Sequence, residues 1–165
     1  MNIEIRPLTV QDVPQYLAVT KQIDKETDLL GVSPNDPRPN ILQMVASLRA
    51  NRQIIFVAIV DKQIVGHLGM FWRRGQLERV KHSMNVGLGV LKSCWGNGIG
   101  NALFEAAEQW AKENNIKRLE LEVMTHNDRG IALYKKRGFK IEGTKIASIL
   151  INNTFINEHL MAKVF

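Results

Sequence analysis

The stretch Val90-Leu91-Lys92-Ser93-Cys94-Trp95-Gly96-Asn97-Gly98-Ile99-Gly100-Asn101-Ala102-Leu103 decides how the rest of the chain is read. Apolar residues alternate on its N-terminal side, glycines punctuate its middle, and Ile99 opens a run of helical apolar spacing. That is the pattern of a strand that ends in a glycine-rich turn and passes straight into an amphipathic helix. The first turn of a helix carries N–H groups with no partner inside the helix, and those groups favour an anion. Gly96, Gly98 and Gly100 place no Cβ in the way, so a diphosphate can approach the main chain closely. The backbone N–H groups from Asn97 to Asn101 are its expected donors. An ordinary tight turn is the competing reading of the glycines alone. A dinucleotide fingerprint does not fit, because its third glycine falls on Asn101.

Upstream, Ile3 and Ile5 alternate with charged residues as a short strand, and Pro7 stops it. Thr9, with Asp12 three residues on, is an N-cap signal for a helix that the apolar spacing carries to about Leu30, with Gly31 as its end. Pro34, Pro37 and Pro39 make a loop, and Ile41, Met44, Val45 and Leu48 mark a second helix. Ile54 to Val60 and Ile64 to Trp72 read as a hairpin about Asp61-Lys62-Gln63. Val80 to Val90 reads as a long strand with His82, Met84, Val86, Leu88 and Val90 on its apolar face. Asn85, Gly87 and Gly89 lie on the other face, the glycines suggesting a bulge or a close backbone approach.

Downstream, the helix from Ile99 buries Leu103, Ala107 and Trp110 and exposes Glu105, Glu108 and Lys112. Leu119, Leu121 and Val123 make a strand, Asn127 or Asp128 caps a short helix, and Gly138 ends it. Phe139–Ile141 and Ile146–Ile151 read as one strand interrupted at Gly143, paired through Asn152-Asn153 with Phe155–Val164. The order β-α-α-β-β-β-α-β-α-β-β describes an α/β fold, a mixed sheet with helices on its faces.

The length of 165 residues suits one domain, expected over residues 1–165. A hydrophobic content of 45% supplies a core and argues against disorder. The net charge of +6 is compatible with a polyanion, a membrane surface or no special partner. One cysteine rules out an internal disulfide, and the histidines lack short metal-ligand spacing, so no metal is expected. With no apolar leader and no long apolar span, a cytoplasmic protein without a membrane partner is the expectation. Nucleic acid is not expected either: Arg73, Arg74, Arg79 and Lys81 form a basic run without a recognised module.

Three segments in order carry a resemblance. His82 to Val90 is similar to the fourth strand of the GNAT superfamily of acyl-coenzyme A-dependent N-acyltransferases. Trp95-Gly96-Asn97-Gly98-Ile99-Gly100 resembles its diphosphate loop, and Asn127 with Leu133-Tyr134-Lys135-Lys136-Arg137-Gly138-Phe139 resembles the segment holding its asparagine and tyrosine. Glu158 to Lys163 resembles the last strand of the small-molecule and amino-acid acetyltransferase branches. The resemblance implies a mostly antiparallel central sheet that splays between strands 4 and 5, with acetyl-CoA as cosubstrate. It implies that Leu88, Val90 and Leu91 lend backbone groups to the pantetheine arm, with Asn127 also bonding that arm and Tyr134 protonating the departing thiolate. Lys92 and the Lys135-Lys136-Arg137 run are candidates for added charge near the nucleotide. Two departures stand out: Trp95 replaces the usual Gln or Arg, and Asn85 replaces a glutamate that often acts as base.

The chemistry sets its own demands. An alkyl amine of pKa ~10.4 is neutral in about one part in a few thousand at pH 7, so a base is useful. Glu122, beside the cleft, is the residue assigned that role; Glu120, His82, His126 and Glu78 remain alternatives. Acetyl transfer by direct attack of a small-molecule or amino-acid primary amine is the leading reading. Protein N-termini or lysines are a second acceptor class, and a non-catalytic acyl-CoA-sensing module is a reading of another kind. The family often forms homodimers, which leaves that state open.

Overall fold

The computed structural model describes residues 2–165. Its elements run β1 (Glu4–Pro7), α1 (Val13–Glu26), α2 (Ile41–Arg49), β2 (Gln53–Val60), β3 (Gln63–Phe71), β4 (Ser83–Val90), α3 (Ile99–Glu113), β5 (Arg118–Met124), α4 (Asp128–Lys136), β6 (Lys140–Ile151) and β7 (Thr154–Val164). Short 3₁₀ turns at Val10–Asp12 and Lys92–Cys94 complete the order. The strands form one seven-stranded sheet in the order β1-β2-β3-β4-β5-β7-β6. All neighbours are antiparallel except β4 and β5.

The parallel pair is the feature that positions the site. It joins Ser83 to Arg118, Met84 to Leu119 and Asn85 to Glu120, and goes no further. Beyond Asn85, β4 has only β3 beside it, and beyond Glu120, β5 has only β7. The sheet therefore splays, as the family resemblance implies, and opens two half-free strand edges toward each other.

Two cores hold the faces. Leu68, Met84, Leu103, Phe104, Leu119 and Phe139 lie in the larger one, against which α4 sets Leu133 and Tyr134. Val13, Tyr16, Met44, Ile55, Val57 and Ile64 fill the smaller one beneath α1 and α2.

Several boundaries differ from the sequence reading, each for a local reason. The helix expected to reach Leu30 stops at Glu26, where Thr27 turns extended and its hydroxyl accepts the Leu29 N–H at 3.1 Å. Leu29 and Leu30 then turn into a cavity wall. Strand β4 starts at Ser83 rather than Val80, because Leu77 C=O accepts the Val80 and Lys81 N–H groups in a turn. His82 is consequently exposed instead of lying on an apolar strand face. Glu108, read as solvent-facing on α3, is only 5% exposed. Arg137 donates to it at 2.7 and 3.1 Å and Lys163 at 2.8 Å, and an ion cluster of this kind is what makes a buried carboxylate tolerable. Burial pushes its pKa up, but the bonds from these two cations outweigh that and hold it below the ordinary value. Strand β6 is a single strand, with irregular pairing at Ile141–Gly143 and again at Lys145–Ile149.

Candidate active site

The splay opens into a cavity of about 630 Å³, within the usual size range for small-molecule sites. One end is made by the glycine loop and α4; the other lies under α1 and the chain that follows it.

The glycine-loop end follows from local rules. Gly96 and Gly98 adopt φ of +81° and +78°, left-handed values that turn the chain sharply from the end of β4 into α3. A Cβ on Gly98 would meet nothing within 4 Å, so the space above this turn is free for a ligand. The first α3 amide to find a partner is that of Ala102, which donates to Gly98 C=O at 3.0 Å. The amides of Ile99, Gly100 and Asn101 precede it and stand outside the helical ladder, donors of the kind a diphosphate takes. Gly100 serves a different need from the other two. A Cβ there would stand 2.9 Å from Leu133 Cδ2 and 3.4 Å from Leu88 Cδ2, so it is the residue that lets α3 pack against α4 and β4.

Trp95 takes over a positioning task at the loop. Its indole N–H donates to Val90 C=O at 2.8 Å, tying the loop to the last residue of β4. The Arg129 guanidinium lies over its ring, 4.8 Å from the centroid. Arg129 and Lys136 face the cavity from α4 and supply positive charge beside the free amides. The other expected cations do different work: Arg137 is committed to Glu108, while Lys92 and Lys135 are exposed.

Tyr134 and Asn127 are held by α4. The helix ends in a Schellman turn, with the Phe139 N–H donating to Tyr134 C=O and the Gly138 N–H to Lys135 C=O, both at 3.0 Å. Phe104 and Phe139 pack around the Tyr134 ring at centroid distances of 5.7 and 6.1 Å. Burial pushes the Tyr134 phenol up to about 12. The phenol is therefore protonated at neutral pH and can donate a hydrogen bond into the cavity it lines. Asn127 Oδ1 accepts the Gly130 N–H at 2.9 Å and so caps α4, while the residue also lines the cavity.

Leu88, Val90, Gly96, Gly98, Ile99, Gly100, Asn101, Glu122, Asn127 and Tyr134 all border the cavity. Leu91 and Asn97 do not line it: Leu91 packs on the core, and Asn97 turns its amide to the Cys94 and Trp95 carbonyls at 3.2 and 3.3 Å. The backbone N–H of Leu91 is also committed, donating to Val65 C=O at 2.9 Å.

Glu122 is in the cavity wall, but its charge is already engaged. Arg73 donates to both its oxygens, at 2.6 and 3.1 Å, and Lys145 bonds one of them. The Arg73 bonds, joined by those of Lys145 and opposed by burial, hold its carboxyl at about 2, where it takes a proton less readily than an ordinary glutamate. Among the alternatives, His82, His126 and Glu78 are exposed, and Glu120 accepts from Arg118 at 2.9 Å.

The α1 end of the cavity holds residues that sequence reasoning missed. Asp24, 3% exposed, is ion-paired with Arg38 from the loop after α1. His67 of β3 stacks edge-on against Tyr16 at 5.2 Å, and its buried Nδ1 has no partner among the described residues. Burial, with the Arg38 charge behind it, pulls its pKa down to about 4, so the imidazole is neutral at pH 7. Glu158 of β7 borders the same space at 8% exposure. A signal for two of these existed: Asp24 falls on the Tyr16–Thr20–Ile23 stripe, and Glu158 shares strand parity with Ile156, Leu160 and Ala162. A charge in an apolar phase is the kind of break that marks a site.

Comparisons with known proteins bear on the family and the fold. The profile described as Acetyltransferase (GNAT) family matches residues 21–139. The L-amino acid N-acetyltransferase AaaT of Escherichia coli K12 is 31% identical, over 92% of this chain and 85% of its own. The spermidine N(1)-acetyltransferase of Thermoplasma acidophilum is 23% identical over 94% of this chain and 99% of its own. A crystal structure of a GNAT-family acetyltransferase from Streptococcus pneumoniae superposes with a TM-score of 0.94 and 28% identity, covering 99% of this chain and all (100%) of that one. The chain belongs to the GNAT acetyltransferase family and is an acetyl-CoA-dependent N-acetyltransferase.

Proposed function

We propose that residues 1–165 form one catalytic domain that acetylates the primary amine of a small molecule, with amino acids the favoured class. The observation that carries this is the composition of the α1 end of the cavity. Arg38 presents a guanidinium that is 35% exposed and anchored by buried Asp24, a fork suited to a substrate carboxylate. Glu158 of β7, 8% exposed, borders the same cavity as a carboxylate for the ammonium. The named activity of the Escherichia coli relative is of the same class.

In this reading the Ile99–Asn101 amides, with Arg129 and Lys136, hold the diphosphate of acetyl-CoA, and the open edge of β4 from Leu88 to Val90 pairs with its pantetheine arm. These groups fit that molecule because the left-handed turn leaves room above Gly98 and the β4 edge lacks a strand neighbour. Bound there, acetyl-CoA supplies an activated acetyl thioester. Tyr134 then donates a hydrogen bond to the sulfur as it departs, and Asn127 bonds the arm.

The test is release of free thiol from acetyl-CoA across glycine, L-phenylalanine, L-lysine, spermidine and an alanine-led peptide. The expected result is highest kcat/KM on a free amino acid. A preference for the peptide would move the acceptor to protein N-termini, and a preference for spermidine would remove the carboxylate role of Arg38.

A further inference from the structure

We propose that Glu158 of β7 is the carboxylate that takes the proton from the acceptor ammonium. The role rests on the amine acetyltransferase reading above and deepens it.

Among the described residues, three acidic side chains line the cavity: Asp24, Glu122 and Glu158. Asp24 is committed to Arg38, and Glu122 to Arg73 and Lys145. The bonds of this wall converge on Glu122 and leave Glu158 without a cation or donor among the described residues. Lys145 makes the contrast sharp. It is the cross-strand partner of Glu158 on β6, yet its ammonium reaches over to Glu122. This carboxylate has no bonded partner although the residue is 8% exposed, so its oxygens are available to an ammonium entering the cavity.

Register places Glu158 at the height of the chemistry. The parallel pairing of Asn85 with Glu120, continued upward, sets Gly87 level with Glu122 and Gly89 level with Met124. Met124 pairs directly with Glu158 on β7. Glu158 therefore stands one strand beyond Met124 at the level of Gly89, on the face where β4 carries Asn85, Gly87 and Gly89. A Cβ on Gly87 would meet nothing within 4 Å, so that face is open at the level of Glu122, while at Gly89 it is covered by His67, whose Nε2 lies 2.8 Å from where a Cβ would stand. Asn85, the residue at the usual base position, lies lower, beside Glu120, and has no basic lone pair. The groups around Glu158 are accounted for. Neutral His67 faces it from β3, and Tyr16 and the Asp24–Arg38 pair lie under α1. The Glu122–Arg73–Lys145 cluster lies on the β5 and β6 side, and Arg73 is near enough for its charge to be felt.

The proton balance closes. The ammonium gives one proton to the Glu158 carboxylate, directly or through one water, and becomes a neutral amine. Its lone pair forms the C–N bond as the C–S bond breaks, and the electron pair of that bond stays on sulfur. Sulfur takes a proton from Tyr134, which recovers one from the nitrogen as the amide forms. Glu158 releases its proton to water, so the products are an amide, a free thiol and one proton.

The experiment is Glu158→Gln, assayed with the best amine of the panel from pH 6 to 10, alongside acetyl-CoA affinity. The expected result is a kcat/KM lower by about 10²–10⁴-fold at pH 7 that climbs back as the pH nears the amine's own pKa, with acetyl-CoA Kd within about twofold. A packing role would not produce recovery at high pH. Wild-type rates throughout, or an equal loss at every pH, overturn the proposal. If Glu158→Gln no longer binds acetyl-CoA, Glu158→Asp decides. A drop of about tenfold or more with the wild-type pH dependence retained supports the role, and unchanged kcat/KM refutes it. If the wild type binds acetyl-CoA but acetylates no amine of the panel, the acceptor reading falls and this inference with it.

Discussion

The two ends of the cleft are built in opposite ways. In the proposed reading, the coenzyme end comes from two short continuous segments, Gly96–Asn101 and Asn127–Tyr134, and its main-chain donors are fixed by turns and helix starts. The acceptor end is assembled from α1, the loop after it, β3, β5 and β7, and works through side-chain charges that mostly satisfy one another. On that reading, backbone donors would recognise a feature common to every acyl-CoA, and side-chain charges would recognise what differs between acceptors. A fold can thus keep one end and retune the other.

Three substitutions test whether that division is real. The largest effect is expected from Tyr134→Phe, which should lower kcat by about 10²–10⁴-fold while leaving acetyl-CoA Kd within about twofold. Steady-state kinetics with a binding titration read both, and unchanged turnover removes Tyr134 from the chemistry. Next, Gly98→Val puts a β-branched residue at φ +78° and fills the open space above the turn. Acetyl-CoA affinity should fall by roughly 10²-fold with amine specificity intact; retained affinity means the diphosphate lies elsewhere. The smallest effect belongs to Arg38→Ala. It should raise KM for an amino acid by about tenfold, leave KM for a carboxylate-free amine nearly unchanged and not move acetyl-CoA Kd. Should all three variants disturb both substrates alike, the two ends are coupled and the comparison fails.

The same division explains what could be read before the fold was known. Element order was legible throughout, because alternation and helical spacing are properties of neighbours in sequence. The glycine loop and Asn127–Tyr134 were legible because turns, caps and free helix amides are also local. Glu122 shows where this stops. Its strand was correctly placed, but Arg73 and Lys145 lie far off in sequence and reach it only through the sheet, and they make it a poor proton acceptor. Glu108 repeats the lesson on the other face, where Arg137 and Lys163 close over a helix position that spacing alone gives to solvent.

By itself, then, the sequence determined the order of strands and helices, the left-handed turn into α3 and the helix that carries Tyr134, since each depends on residues within a few positions of one another. Only the tertiary structure decided where β4 and β5 part, which carboxylates lose their freedom to cations, and that Glu158 keeps its own among the described residues. Those outcomes depend on strand register and on burial, and both bring together side chains that the chain keeps apart.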